Sequence, residues 1–182
     1  MEYHYNIPIS SEKIAKLHIG DTIYVTGRIF TARDEAHKEL LEKDKDSLPF
    51  NPSEMALFHC GPLMKKEKGK WEVVSAGPTT SSRMELFEDR FIEKFGTNLI
   101  IGKGGMGEKT GKALQKHTGV YTSYTGGAGA LAAERVEAVE TVYWLDELGM
   151  PEAVWIFKVK EFGPLVVAMD SHGKSIYKEI RK

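Results

Sequence analysis

The sequence predicts an α/β domain with a mixed sheet. Segments rich in β-branched and aromatic residues alternate with amphipathic segments, which is typical of α/β domains. In two regions, residues 55–76 and 154–169, strand-like segments follow one another directly, which indicates a sheet that is mixed rather than purely parallel. The length of 182 residues allows one domain with a sizeable core and leaves little room for a second. We therefore predict a single domain over residues 1–182.

Composition narrows the classes of protein. Lys and Arg number 25 against 26 Asp and Glu, so the formal net charge of −1 creates no global field that would attract nucleic acid or an anionic membrane. The one cysteine, Cys60, cannot form an internal disulfide, nor hold a structural zinc or an iron–sulfur cluster with its own thiolates. No segment resembles a signal peptide or reaches the length of a membrane span. These features predict a cytoplasmic protein without a metal of its own.

The elements of the first half are predicted from strand-forming runs, helix caps and breakers. Thr31 and Asp34 have the spacing of a capping box, which predicts a helix after them. The charged run at 65–70 predicts a turn between two strands. The predicted elements are a helical turn at 11–17, a strand at 22–30, a helix that begins with the 31–34 capping box and carries Ala36 and Leu40 on one face, and strands at 55–59 and 72–76.

The second half is predicted in the same way. Ser82 and Glu85 again have capping-box spacing, and a helix is predicted after them. Its apolar stripe consists of four residues at spacings of three and four, Met84, Phe87, Phe91 and Phe95. Gly96 is its predicted end. The remaining predicted elements are a strand at 98–101, a helix at 108–117, a strand at 120–124, a short helix opened by a second glycine cluster at 126–129, and strands at 136–145, 154–159 and 165–169, the last two joined by a turn at Gly163-Pro164.

Three loops carry residues that could bind an anion. In the first, 77–83, several hydroxyls and one arginine lie at the predicted start of a helix. The free N–H groups and the dipole of a helix start favour an anion, and a guanidinium matches a carboxylate. One hydroxyl is expected to cap the helix, and the loop holds more hydroxyls than capping needs.

The second loop, 102–107, has the pattern G-x-G-x-x-G after a strand and before a helix. A dinucleotide site would need an acidic residue about 20 positions further on, and the sequence there contains none. The loop also lacks the Gly-Lys-Ser/Thr ending of a nucleotide-phosphate loop. A site for a small anion remains, with Lys103 as its charge and the backbone of Gly102, Gly104 and Gly105 around the anion.

The third loop places Arg33 and Asp34 in a first helical turn, with His37 one turn further on. Asp34 is expected to act as a cap, and His37 to be a half-buried helix residue rather than a base. His59 is predicted to be isolated, with no arrangement of metal ligands around it. Loops that offer cations without an obvious base predict a protein that binds a dicarboxylate.

Four motifs, in order along the chain, carry a resemblance to a known family. They are TARDEAH (31–37), GPTTSSRM (77–84), IIGKGGMG (100–107) and TGGAGALAA (125–133). Together they resemble the β subunit of two-subunit class I fumarate hydratases and tartrate dehydratases, over nearly the whole chain. The resemblance implies a swivelling β/β/α fold and a partner α subunit, in a hetero-oligomer such as α2β2. It also implies a [4Fe–4S] cluster held by three cysteines of the α subunit, so that this chain itself binds no metal.

The resemblance assigns roles to five side chains. Thr79 matches the proton-transfer residue of the family, and Thr80 lies beside it. Arg33, Arg83 and Lys103 match the ligands of the substrate carboxylates. Removing a proton next to a carboxylate builds up negative charge, which positioned cations stabilise.

The expected reaction is the addition of water to fumarate to form (S)-malate, a step of the tricarboxylic acid cycle. L(+)-tartrate dehydratase is the alternative, because both substrates are small dicarboxylates. Two interpretations from other classes stay open: a nucleotide-binding module that uses loop 102–107, and a structural subunit that only docks on a catalytic partner. Under the leading interpretation, this chain is expected to be inactive without its α subunit.

Overall fold

Most strands and helices follow the predicted order. The structure differs at two helix starts and one turn, and it adds strands at 2–6 and 63–67 and helices at 145–148 and 176–179 that were not predicted. The computed structural model describes residues 1–124 and 129–179. Its strands are β1 (Glu2–Asn6), β2 (Thr22–Thr31), β3 (Ala56–Phe58), β4 (Leu63–Glu67), β5 (Lys70–Ser75), β6 (Leu99–Gly102), β7 (Val120–Tyr124), β8 (Val136–Tyr143) and β9 (Val154–Met169). Its helices are α1 (Ser11–Ile14), α2 (Asp34–Glu42), α3 (Glu88–Phe95), α4 (Glu108–His117), α5 (Gly129–Glu134), α6 (Leu145–Leu148) and α7 (Ile176–Glu179). None of these helices is both long and apolar enough to cross a membrane.

Seven strands form one mixed sheet in the order β1-β2-β3-β6-β7-β9-β8. A further pairing of β2 with β9 closes five of them into a ring, so that the sheet is partly barrel-like. Within the ring, β2, β3, β6 and β7 are parallel, and β9 runs antiparallel to both of its ring neighbours. The mixed sheet expected from the sequence is confirmed. Strands β4 and β5 form a separate antiparallel hairpin.

Alternate residues of the ring strands belong to two different cores. In β3, Phe58 lies in one core and Leu57 in the other, and Ile101 and Ile100 of β6 divide in the same way. The buried apolar residues of α2, α3 and α4, such as Phe91, all belong to the second core, so these helices cover the outside of the ring. Because side chains alternate between the two faces of a strand, burial of both faces explains why β3 and β6 contain only apolar residues and glycine.

The last strand differs from the prediction. Residues 154–169 form the single strand β9 instead of two strands joined by a turn at Gly163-Pro164. Its first part pairs with β8 and β2, and its second part with β2 and β7, so a reversal at residue 163 would remove pairing on both sides. The strand bends instead, because Glu161 has a left-handed φ of 49° and the register with β2 shifts beside it.

The first predicted capping box is wrong. Thr31 is the last residue of β2, and its hydroxyl accepts a hydrogen bond from the Trp155 N–H of β9 at 3.0 Å. Helix α2 begins at Asp34, and its N-cap residue Arg33 makes no side-chain capping bond. Pairing between strands that are distant in sequence therefore uses the hydroxyl that local spacing assigned to the helix.

The second predicted capping box is also wrong, because Glu85 caps a different helix. The preceding segment forms a 3₁₀ turn, and α3 begins only at Glu88. The Glu85 carboxylate accepts hydrogen bonds from three N–H groups and one hydroxyl, Gly107 N at 2.8 Å, Lys109 N at 3.0 Å, Thr110 N at 3.3 Å and Thr110 Oγ1 at 2.6 Å. The N–H donors belong to the start of α4, where the helix dipole also favours a carboxylate.

Glu85→Ala should destabilise the protein by about 1–2 kcal/mol, as expected for the loss of a helix cap. Urea denaturation followed by circular dichroism measures the change. Glu93→Ala is the matched control, because Glu93 of α3 is exposed and pairs only with the surface residue Lys116. Its replacement should change the free energy of unfolding by less than about 0.5 kcal/mol. Equal destabilisation by the two variants would contradict the capping role.

Candidate functional site

The ends of parallel strands bring the predicted site loops together. Strands β2, β3 and β6 are parallel neighbours, so the loops that follow them leave the ring at the same edge. These loops are 32–33, 59–62 and 103–107. We call this part of the protein the site edge.

A short segment after β5 connects two of these loops. The Thr79 N–H donates to the His59 carbonyl at 2.8 Å, and the Ser81 N–H donates to the Lys103 carbonyl at 3.0 Å. Thr80 and Lys103 form a parallel β-bridge. The backbone therefore brings Thr79, Thr80 and Lys103 next to one another.

Arg83 joins this group through its side chain. Its Nη2 donates to Thr79 Oγ1 at 3.1 Å and lies 3.2 Å from Asp34 Oδ2. The guanidinium side chain is 47% exposed and Thr79 is half-buried, so both can contact a ligand at the site edge. A positive charge beside the hydroxyl favours its deprotonated form, which a threonine needs in order to accept a proton.

Arg33 lies at the same edge and is connected to Arg83 through the adjacent residue Asp34. Its side chain crosses Gly61, where a Cβ would lie 2.6 Å from Arg33 Cδ, and its Nε lies 3.3 Å from Glu152 Oε1. The next residue, Asp34, pairs with Arg83. Each arginine therefore faces a carboxylate of this chain, which the sequence analysis did not predict. Any anion that binds these two cations has to compete with Asp34 and Glu152 for them.

Packing within the protein explains the glycines of loop 102–107. Gly102 is a buried residue of β6, and a Cβ there would lie 1.9 Å from Ser81 Oγ. Gly104 has a left-handed φ of 76°, which glycine adopts without strain. Gly105 packs against the ring of Tyr177, whose nearest atoms would lie 3.2 Å from a Cβ. Gly102 is thus covered, whereas Gly104 is exposed at the site edge.

The start of α4 is not open to a phosphate. The Glu85 carboxylate occupies its N–H groups, and Gly107 leaves room for it because a Cβ there would lie 2.5 Å from Glu85 Oε1. Nucleotide loops bind a phosphate at this position of a helix, and the carboxylate would repel one. The structure therefore argues against a nucleotide-binding module. Lys103, which is half-buried, remains as the charge of this loop.

Comparison with known proteins identifies the family of this chain. Residues 3–180 match the family model described as "Fumarase C-terminus". The chain belongs to this family.

Three relatives illustrate how members of the Fumarase C-terminus family are named. "Putative L(+)-tartrate dehydratase subunit beta" of Methanocaldococcus jannaschii is 48% identical over 184 residues, which span 100% of this chain and 94% of the relative. "L(+)-tartrate dehydratase subunit beta" of Escherichia coli is 46% identical, over 96% of this chain and 86% of the relative. "Putative fumarate hydratase class I" of Geobacillus stearothermophilus is 47% identical, over 96% of this chain but 33% of the relative. These names describe hydro-lyases, so this chain is a hydro-lyase subunit of the β type.

One motif of the Fumarase C-terminus resemblance lies partly outside the described residues. Of TGGAGALAA (125–133) and of the glycine cluster predicted at 126–129, the structure describes only the part from Gly129 onward. Gly129 begins α5, and its carbonyl accepts a hydrogen bond from the Ala76 N–H at 3.0 Å. Helix α5 therefore begins beside the chain that enters loop 77–83.

Cys60 follows β3 and is fully buried in the core inside the ring. Burial raises the pKa of its thiol above the usual range. An iron–sulfur cluster held by cysteines needs several accessible thiolates. The single buried thiol of Cys60 does not fit such a group.

A buried cluster of three charged or polar side chains was missed by the sequence analysis. His37 of α2, His59 after β3 and Glu88 of α3 are each 0% exposed. Glu88 Oε2 lies 3.1 Å from His37 Nε2 and 2.8 Å from His59 Nε2. The expectations that His37 is half-buried and that His59 is isolated are therefore wrong. Glu88 was the one indication in the sequence of this buried cluster. It lies four residues after Met84, where its carboxylate interrupts the apolar stripe of the helix.

The three groups of this cluster shift one another's protonation. Burial disfavours the charged form of His37, but the Glu88 carboxylate outweighs burial and raises the pKa of His37 above its ordinary value of 6.5. Burial dominates at His59 and lowers its pKa. Burial acts against the Glu88 carboxylate too, yet both histidines together lower the pKa of Glu88 to about 2. Asp34 faces both histidines, and Tyr121 faces Glu88.

The stability of the protein should therefore be greatest near neutral pH. The contribution of His37 is complete below pH 6.5 and is lost as the pH rises through its raised pKa. The contribution of neutral His59 to the free energy of unfolding is complete above pH 6.5 and is lost below it. The contribution of the Glu88 carboxylate is lost as the pH falls from about 4.5 to 2. Thermal unfolding between pH 4 and 9 measures this dependence.

Glu88→Gln should flatten the alkaline side of this profile, because neutral His37 then has no charge to lose. Comparing the variant with the wild type separates the cluster from His4, an exposed histidine whose pKa the Glu161 carboxylate also raises. An identical decline of the melting temperature above neutral pH in both proteins would refute the assignment to His37.

Proposed function

We propose that this chain is the β subunit of a two-subunit enzyme that removes water from L(+)-tartrate. The relatives whose length matches carry that name, and the chain spans 94% and 86% of the two described above. The relative named for fumarate hydratase is about three times longer, since the chain spans 33% of it. The names thus favour tartrate over the fumarate that the sequence analysis preferred. Fumarate hydratase stays the second candidate, because that relative is 47% identical.

The observation that carries the proposal is the contact between the Arg83 guanidinium and the Thr79 hydroxyl, 3.1 Å apart at an open edge. Lys103 lies beside them through the bridge to Thr80, and Arg33 lies along the same edge. A hydroxy-dicarboxylate can place its two carboxylates on these cations. Thr79 then takes the proton from the carbon next to a carboxylate, and the cations stabilise the charge that develops there.

The α subunit supplies the other half of the site in this proposal. A [4Fe–4S] cluster held by cysteines of the α subunit would supply Lewis-acid chemistry for the hydroxyl that leaves. This chain binds and orients the carboxylates and moves the proton. The exposure of the Arg83 side chain, 47%, suits a site that a second chain completes. We propose a hetero-oligomer such as α2β2.

The proposal is tested by anaerobic co-expression with a candidate α subunit, followed by iron analysis and turnover assays of the purified complex. The assays compare both tartrate enantiomers, malate and fumarate. The expected result is that the complex contains iron and dehydrates L(+)-tartrate fastest, and that this chain alone is inactive. Faster turnover of malate and fumarate would establish the second candidate instead. Activity of this chain alone, without iron, would overturn both.

A further inference from the structure

A continuous path of hydrogen bonds connects the loops of the site edge through the protein interior. At one end, His37 Nδ1 lies 2.7 Å from the Arg33 carbonyl, and His37 Nε2 lies 3.1 Å from Glu88 Oε2. The same Glu88 oxygen lies 2.8 Å from His59 Nε2. At the other end, Ser81 Oγ lies 2.8 Å from His59 Nδ1 and 3.1 Å from the Lys103 backbone nitrogen. The path begins and ends on the backbone of two proposed substrate ligands. Its middle is the buried cluster of two histidines and a glutamate.

The chemistry of the partners sets the protonation of His37. Its Nδ1 faces the Arg33 carbonyl, which can only accept a hydrogen bond, so Nδ1 carries a proton. Its Nε2 faces the Glu88 carboxylate, which also accepts, so Nε2 carries one as well. His37 is therefore an imidazolium ion paired with Glu88 in the interior.

His59 completes the path as a neutral ring. Its Nε2–H donates to Glu88, so its Nδ1 accepts a hydrogen bond from the Ser81 hydroxyl. Ser81 Oγ in turn accepts from the Lys103 N–H. Every hydrogen bond of the path then has a defined direction.

A buried ion pair of this kind is weak evidence for stability. Well-packed apolar residues often stabilise a protein as much as a buried charged pair does, whereas loss of one partner leaves an uncompensated charge. Glu88 Oε1 also has no hydrogen-bond partner within residues 1–124 and 129–179. What the pair achieves beyond packing is a fixed geometry, because it joins α2 to α3, and His59 and Ser81 extend it to the loops after β3 and β6.

We propose that His37, Glu88 and His59, with Ser81, are positioning residues that hold the substrate-binding cations of the site edge in register. The path fixes the backbone of Arg33 and Lys103 directly. It also fixes the carbonyl of His59, to which the Thr79 N–H donates. This inference rests on the function proposed above, because it assigns the path a role in orienting the same carboxylate ligands.

The alternative occupant of the cluster is a divalent metal ion, since two imidazoles and a carboxylate are metal ligands. Both Nε2 atoms would then have to be unprotonated. His37 could still donate from Nδ1 to the Arg33 carbonyl while Nε2 binds a metal ion. Measuring which ring nitrogens carry protons therefore distinguishes the ion pair from a metal site.

The kinetic test compares Glu88→Gln with Glu93→Gln in the assembled enzyme. The substitution is the same and lies on the same helix, but Glu93 is exposed and pairs only with Lys116. Glu88→Gln should raise KM and lower kcat, with a loss of kcat/KM of about tenfold or more, because small displacements of binding groups cost up to about 100-fold. Glu93→Gln should leave both constants unchanged. Wild-type constants for folded, assembled Glu88→Gln enzyme would overturn the proposal.

Ser81→Ala provides a second variant in case Glu88→Gln fails to assemble. It removes the last connection, to His59 and the Lys103 N–H, and leaves the ion pair intact. It should raise KM, since the Lys103 N–H loses its hydrogen-bond acceptor, while the melting temperature falls less than in Glu88→Gln. An unchanged KM would contradict the role of the path.

Nuclear magnetic resonance of the histidine rings in this chain alone tests the path independently of the enzyme's substrate. At neutral pH, His37 should show two protonated ring nitrogens and His59 the Nε2–H tautomer, and Glu88→Gln should convert His37 to a neutral ring. A neutral His37 in the wild type, or one divalent ion per purified chain, would overturn the proposal. If the assembled wild-type enzyme turned over no dicarboxylate while these ring states were found, the proposed function would fail and the path would stand.

Discussion

Thr79→Val is expected to lower kcat of the assembled enzyme by at least about 100-fold, the usual minimum for loss of an acid–base group. Valine keeps the shape of the side chain and removes the hydroxyl that Arg83 Nη2 contacts at 3.1 Å. The Thr79 N–H still donates to the His59 carbonyl, so the site edge should remain folded. The measurement is steady-state turnover of L(+)-tartrate by the purified complex.

Thr141→Val is the matched control for this substitution. Thr141 lies on β8, outside the loops of the site edge, and it pairs with Ile156 of β9. Its replacement should leave turnover and assembly unchanged. Full activity of Thr79→Val would remove the proton-transfer role and favour the interpretation of this chain as a structural subunit.

Arg83→Ala is expected to raise KM by about 100-fold, because a guanidinium–carboxylate contact with substrate is charge-assisted and worth about 1.5–3 kcal/mol or more. It should also lower kcat, because the same guanidinium holds the Thr79 hydroxyl. Asp34 then loses its partner and places a negative charge beside the substrate. Turnover at a series of substrate concentrations separates the two effects.

Arg90→Ala controls for the loss of a positive charge near the same helix. Arg90 of α3 is exposed and donates only to the Leu86 carbonyl, at 3.1 Å. It should leave KM unchanged. A loss of kcat in Arg83→Ala at unchanged KM would show that Arg83 acts on Thr79 alone and not on the substrate.

The competition of Asp34 and Glu152 with the substrate follows from the same contacts. Asp34 Oδ2 lies 3.2 Å from Arg83 Nη2, and Glu152 Oε1 lies 3.3 Å from Arg33 Nε. Both arginines are ligands of the substrate carboxylates in the proposal. In the proposal, the two carboxylates hold the guanidinium groups in place before substrate binds. When the dianion binds, each guanidinium contacts both its carboxylate and the substrate. The arginines are therefore oriented in advance.

Local patterns in the sequence predicted most of the elements, because those elements depend on neighbours along the chain. The run from Thr22 and the helix Glu108–His117 are found where they were expected. Gly96 ends α3 with a left-handed φ of 68°, as its position predicted. These features depend on side-chain alternation, helix periodicity and backbone freedom, which a short window of sequence displays.

Three structural predictions failed because they depended on partners distant in the chain. The hydroxyl of Thr31 was assigned to a helix and is used by β9, and Glu85 was assigned to its own helix and caps α4. Gly163-Pro164 was assigned to a turn, and closure of the ring made it a bend. In each case the local preference is a fraction of what several tertiary hydrogen bonds contribute, so the tertiary contacts prevail.

The sequence by itself determined the family of this protein and the side chains that offer charge, Arg33, Arg83 and Lys103, because residue identity alone sets which groups can bind a carboxylate. Only the tertiary structure decided that His37, His59 and Glu88 meet in the interior, where each is 0% exposed. They come from two helices and a loop that are separate in sequence, and no spacing along the chain records their contact. Closure of the ring places those elements against one another, and the buried charges require partners there.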